Sequence, residues 1–206
     1  MTTTGYCAGL EKLAVMKSLL SETEWNDYRA DARLGWRLAH QCWPGPDSRS
    51  ADWLQTPGSL TRRLQSISDG TFNVRVISEG WVCRTVTGSG LSNSVATKQM
   101  MWSRQVVLRG LGEDWVAAHS LIPMSSLKGQ QRRLIHLGNK PLGGFLFKQP
   151  SLRRGEPEIC QIDAVWGRRT LFFLQERPLL VAEFFLPDLI RRTQQSTRDG
   201  LLYAKR

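Results

Sequence analysis

From Phe72 onward the chain alternates apolar and polar residues at a period of two, in runs joined by turns too short to hold a helix. No other feature limits the fold as much. Neighbouring parallel strands need a crossover of a dozen or more residues, usually helical, so consecutive strands with tight turns demand antiparallel pairing. The runs are FNVRVISEGWVCRTV, read as one or two strands, then MMWSRQVVL and DWVAAHSLIP, then LRRGEPEICQIDAVWGRR and TLFFLQERPLLVAEFFLP. RGLGE has the glycine placement of a hairpin turn, and ERP forms another tight turn. Residues 89–98 are polar and loop-like. SSLKGQQRRLIHLG is expected as a short helix, GNKPLGG as a turn, and a further short helix is expected around Leu60 and Leu64. The fold class is α+β: a single antiparallel β-sheet with helices packed on one side.

Ahead of this domain, residues 9–40 have a helical period, with Leu10, Leu13, Met16, Leu19 and Leu20 on one stripe. Ser21 and Glu24 form a capping box that opens a second helix through Trp36. The stretch CWPGPDSRSA, residues 42–51, is rich in turn formers and is expected to be a linker. The expected organisation is a helical N-terminal extension and linker over 1–51, a main domain over 52–190 and a basic tail over 191–206.

Lys and Arg outnumber Asp and Glu by 28 to 18, a formal charge of +10. Such a balance suits nucleic acid, anionic membrane or a small acidic substrate, and does not choose among them. Eight tryptophans and an apolar fraction of 41% exclude a disordered chain. Cys7, Cys42, Cys83 and Cys160 show no C-x-x-C spacing and read as thiols in a reducing compartment. The N-terminus lacks a signal-peptide pattern. The densest apolar segment, Pro178 to Leu186, is broken by Glu183 and is far shorter than a membrane span. A cytoplasmic protein without stable membrane insertion is expected.

Two charges stand on apolar faces. Side chains at i and i+2 share a strand face, so Arg104 lies with Trp102, Val106 and Leu108, and Glu183 with Leu179, Val181 and Phe185. A lone buried charge costs several kcal/mol or more, in round terms, unless it is paired or bound to a ligand. Two readings stay open. One is structural: an Arg104–Glu183 ion pair, or a strand-end charge that reaches solvent. The other is an enclosed pocket in which Arg104 clamps a carboxylate and Glu183 hydrogen-bonds a hydroxyl. An apolar surround would favour the neutral form of Glu183, making it a hydrogen-bond donor.

Other motifs carry less. His40, His119 and His136 have no metal-ligand spacing, so no metal site is expected. Ser59 and Ser103 lack a nucleophile-elbow setting, and no P-loop or dinucleotide fingerprint occurs. The Arg-Arg pairs at 62–63, 132–133, 153–154, 168–169 and 191–192 are scattered. They are expected to be solvated surface charges.

The segments DWLQTPGSLTRR, WSRQVVL, DWVAAHSLIP, LGNKPLGGFLF, WGRR and PLLVAEFFLP share their order and spacing with chorismate pyruvate-lyases. The chain resembles that family from about Asp52 to Pro187. The resemblance implies a lyase that converts chorismate to 4-hydroxybenzoate and pyruvate, the first committed step of ubiquinone biosynthesis, with no cofactor, metal or covalent nucleophile. It places the carboxylate-binding arginine at Arg104 and the acidic residue that contacts the ring hydroxyl at Glu183. It places main-chain ligand contacts at Leu60, where well-known members have Met, and at Leu142. Members more often have Arg where this chain has His119, a departure expected to change pocket polarity or access. The resemblance also implies an internal pocket beneath helical lids, formed around Leu60 and over 125–146, with tight product retention and product inhibition. The chain is expected to act as a monomer.

Two rivals remain. The effector-binding UTRA domains of bacterial transcription regulators resemble the same fold, so a non-catalytic sensor of aromatic acids is the alternative. No winged-helix module precedes the domain, however, and both matched charges are retained. A nucleic-acid-binding role is the weakest reading, because the arginine pairs lack aromatic interleaving.

Overall fold

A computed structural model of the chain describes residues 35–86 and 97–193. The helices expected within 9–34, most of the loop expected over 89–98, and the tail beyond 193 lie outside the described residues.

Among the described residues, eight strands form one sheet in which every pair is antiparallel. They are β1 (Arg37–Leu38), β2 (Asn73–Val86), β3 (Thr97–Gly110), β4 (Glu113–Pro123), β5 (Leu152–Arg154), β6 (Glu158–Ile162), β7 (Val165–Leu174) and β8 (Arg177–Phe185). The order across the sheet is β1-β6-β7-β8-β4-β3-β2, with β5 paired to β7 beside β6. The FNVRV run is therefore one long strand. Two hairpins turn on two residues at positive φ or with glycine: Leu111–Gly112 between β3 and β4, and Gln175–Glu176 between β7 and β8. Such turns match the twist of the flanking strands.

The helices are short: α1 (Ser48–Leu54), α2 (Leu60–Ser66), α3 (Leu142–Leu146) and α4 over 187–193. The run expected as a helix after β4 forms 3-10 turns at Met124–Ser126 and Gly129–His136. The expected GNKPLGG turn leads straight into α3. Within the stretch expected as a linker, Asp47 opens α1. Its carboxylate accepts from the main-chain N–H of Arg49 at 3.0 Å and of Ser50 at 3.2 Å, an N-cap arrangement. The helix then buries Trp53 and Leu54. Each such burial stabilises by about 1.5–3 kcal/mol, and this outweighs the turn-rich composition. Residues 37–40, at the end of the stretch with a helical period, instead give β1 and most of a 3-10 turn that ends at Gln41. Sheet pairing with β6 wins there, and Trp36 packs on Phe184 with ring centroids 5.9 Å apart.

The two sheet faces carry different cores. One gathers Met101, Val107, Ala117, Leu180, Ala182 and Phe184. The other meets the described helices, packing Trp53, Leu60, Leu64, Val106 and Phe185 at one end and Leu134, Leu142, Leu146, Phe172 and Leu179 at the other. A cavity lies between those two ends.

Candidate active site

Arg104 leaves β3 on the helix-covered face, as its alternation with Val106 and Leu108 requires, and is 2% exposed. Its Nη2 donates to the carbonyls of Gly138, at 2.6 Å, and Lys140, at 3.1 Å. These carbonyls belong to the segment that enters α3. Glu79, opposite on β2, brings Oε2 to 3.4 Å from Nε. The buried Nε–H makes no hydrogen bond. Burial pushes the guanidinium below its ordinary value, and the charge of Glu79 offsets part of that shift.

Glu183 leaves β8 on the same face but does not meet Arg104. The register runs Arg104↔Ser120↔Val181 across β3, β4 and β8, and Glu183 lies two residues beyond Val181. Strand spacing and rise put the two Cα atoms about 12 Å apart. The expected Arg104–Glu183 ion pair is therefore not what holds either charge. The partner of Glu183 is Arg168, directly opposite on β7, with Nε to Oε2 at 2.6 Å. The apolar surround expected for this carboxyl thus contains a guanidinium, and the residue accepts a charged hydrogen bond. Arg168 Nη1 also donates to the carbonyls of Trp53, at 3.2 Å, and Leu54, at 3.1 Å. The last turn of a helix leaves such carbonyls without internal partners and favours a cation. Arg168 thereby joins the end of α1 to Glu183, and its guanidinium stands 5.5 Å from the Phe185 ring centroid.

Helices α2 and α3 roof the space above. Leu60 and Leu142 are the first residues of these helices, so their main-chain N–H groups have no intrahelical acceptor. The two helices touch where Gly143 meets Thr61. A Cβ on Gly143 would stand 2.7 Å from Thr61 Oγ1, so glycine is what permits the close approach. Leu60, Arg104, Leu142 and Glu183 all line the one cavity beneath.

Two further arginines line the same cavity, Arg154 and Arg168. The expectation that the Arg-Arg pairs are solvated is corrected here. Arg168 and Arg169 are buried, and Arg154 turns inward while Arg153 faces solvent beside Glu176. The alternation that placed Arg104 contained this information: Arg168 shares its face with Trp166, Thr170 and Phe172. Arg169 pairs with Glu158 at 2.6 Å on the opposite face. His119 is corrected as well. It projects from β4 away from the cavity and bonds through Nε2 to Ser103 Oγ at 2.8 Å. Burial first, and the charge of Arg84 second, push its pKa down to about 3.

The sequence matches the chorismate lyase family over residues 32–195. "Probable chorismate pyruvate-lyase 2" of Pseudomonas fluorescens is 37% identical over 166 residues, covering 75% of this chain and 90% of its own. The "Chorismate pyruvate-lyase" of Serratia proteamaculans is 37% identical over 154 residues, covering 75% and 86%. Among solved structures, the C-terminal domain of histidine utilization repressor from Pseudomonas syringae pv. tomato aligns at 8% identity over 57% of this chain and 92% of that one, with a TM-score of 0.42. The extent of the family match, and relatives alike over most of both chains, establish that this protein belongs to the chorismate lyase family.

Proposed function

We propose that this protein cleaves chorismate to 4-hydroxybenzoate and pyruvate, and that the cavity beneath α2 and α3 is its active site. The observation that carries the reading is convergence. Four residues far apart in sequence and matched to the family pattern, Leu60, Arg104, Leu142 and Glu183, line one cavity. The opposed charges stand about 12 Å apart at their Cα atoms, each with its own partners.

In this reading Arg104 takes the ring carboxylate. Its guanidinium lines the cavity and matches a carboxylate in bidentate geometry. The main-chain N–H groups of Leu60 and Leu142 add contacts from above. Glu183, aimed by Arg168, accepts from the ring hydroxyl. The ether bond to the ring breaks, the hydrogen on the hydroxyl-bearing carbon leaves, and the enolpyruvyl methylene gains one hydrogen. The two products together hold every atom of the substrate. Most of the acceleration expected from these residues is positioning and preorganised charge.

Helices α2 and α3 cover the cavity, so in this reading their separation gates entry and exit of the aromatic acid. Slow release, and with it product inhibition, follows from that requirement. The reading also includes a monomeric cytoplasmic enzyme that feeds ubiquinone synthesis. Incubating the purified protein with chorismate tests it. Pyruvate, read by coupled reduction, and 4-hydroxybenzoate, identified by chromatography, should appear in equal amounts. Absence of pyruvate refutes the reading.

A further inference from the structure

The cavity lining holds three guanidinium groups, on Arg104, Arg154 and Arg168, against the single carboxylate of Glu183. Arg168 is a positioning residue. It spends Nε on Glu183 and Nη1 on the end of α1. Arg154 is different. Its only hydrogen bond among the described residues runs from Nη1 to the carbonyl of Thr56, at 3.1 Å. Its Nε–H is buried without a hydrogen-bond partner. Burial and the like charge of Arg168 both push this guanidinium below its ordinary value, and Glu183 pulls it back only in part. A guanidinium in that position lacks an anion.

The place of Arg154 gives the identity of that anion. Arg168 Nη1 also approaches the Thr56 carbonyl, at 3.5 Å, so the head groups of Arg154 and Arg168 flank one oxygen. Arg154 therefore lies beside the Arg168–Glu183 pair, across the cavity from Arg104. In chorismate the hydroxyl and the enolpyruvyl ether sit on adjacent ring carbons. Whatever recognises the ether's carboxylate must lie next to whatever recognises the hydroxyl. We propose that Arg154 seats the second carboxylate of the substrate, the one on the enolpyruvyl group, and is a specificity-determining residue that separates substrate from aromatic product. This rests on the proposed lyase reading, which assigns the hydroxyl to Glu183. The lining then carries two excess positive charges, three less one, for a substrate with two negative ones.

The test compares chorismate turnover with 4-hydroxybenzoate binding in Arg154→Met and Arg154→Lys. Losing one charge-assisted contact predicts a roughly 10- to 100-fold rise in chorismate KM for Arg154→Met. Affinity for 4-hydroxybenzoate, which lacks the second carboxylate, should change less than about threefold. Arg154→Lys keeps the charge without the fork and should recover part of the loss. Equal weakening toward both ligands, or an unchanged chorismate KM, overturns the proposal. If Arg154→Met does not fold, Arg154→Lys decides alone, since its chorismate KM must rise without a matching change in product affinity. Wild-type protein that releases no pyruvate overturns the lyase reading and this subsite together. Wild-type turnover with unselective variants overturns the subsite only.

Discussion

The two faces of the sheet bury polar side chains to opposite ends. On the face away from the helices, Ser103 Oγ and His119 Nε2 share a hydrogen bond at 2.8 Å, and His119 is held neutral by burial. On the helix-covered face, the buried Arg104 has only a 3.4 Å ion pair at its Nε, and the half-buried Arg154 has a buried Nε–H with no hydrogen-bond partner. Interiors rarely tolerate unmet donors, and each one costs free energy unless a ligand supplies the acceptor. A closed hydrogen bond marks structure, and an open one inside a cavity marks a place for something else.

Breaking the open side should have the largest effect. Arg104→Ala is expected to lower kcat/KM for chorismate by roughly a thousandfold or more, read by pyruvate release. Wild-type turnover would place the carboxylate seat elsewhere. Next comes the pair beneath the hydroxyl. Arg168→Met leaves Glu183 mostly buried without its partner, which costs about 3–5 kcal/mol of stability. It should also lower kcat more than it raises KM, because it misaims a group that already holds the substrate. The double variant with Glu183→Gln should lose less stability than the two single losses added, because they share one interaction. Strict additivity in denaturant melts would show the pair to be uncoupled. A smaller and purely structural effect is expected on the closed side. His119→Phe removes one buried hydrogen bond and leaves Ser103 unpaired, at about 1–3 kcal/mol, with chorismate kinetics within about threefold of wild type. A large kinetic defect in a folded variant would erase the contrast between the faces.

The same histidine gives a pH signature. Its folded pKa of about 3 lies below the unfolded value near 6.5. Protonation therefore favours the unfolded chain. The stability associated with neutral His119 is complete above about pH 6.5. It falls by about 1.4 kcal/mol per pH unit below that, until the folded pKa is reached. Melts of wild type and His119→Phe should converge as the pH drops from 7 to 5. Parallel curves would mean that His119 is not held neutral.

Much of this contrast was legible in one dimension. Alternation along β3 and β8 placed Arg104 and Glu183 on the pocket face, and hairpin chemistry fixed the antiparallel order. The same rule applied to WGRRTLFFL puts Arg168 inward. It was obscured because adjacent arginines look like surface charge, although consecutive strand residues must point to opposite faces. The partners were not legible. Which residue stands across from Glu183 depends on register between β7 and β8, set by a turn and by packing rather than by any local pattern. The helix at Ser48–Leu54 was hidden for a similar reason, since its stability comes from Trp53 and Leu54 finding a core contributed by distant strands.

That helix has a consequence for timing. Seven residues are too few to persist alone in water, so α1 lasts only as long as its anchors, and Arg168 is one of them. The amide of Gln55 donates to Ala51 at 2.9 Å, in the last turn beside those anchored carbonyls. Each opening of that turn removes the carbonyl contacts that steady Arg168 beside Glu183. Hydrogen exchange at this surface amide is therefore a clock for an interior carboxylate: its rate counts how often the site stops being a site.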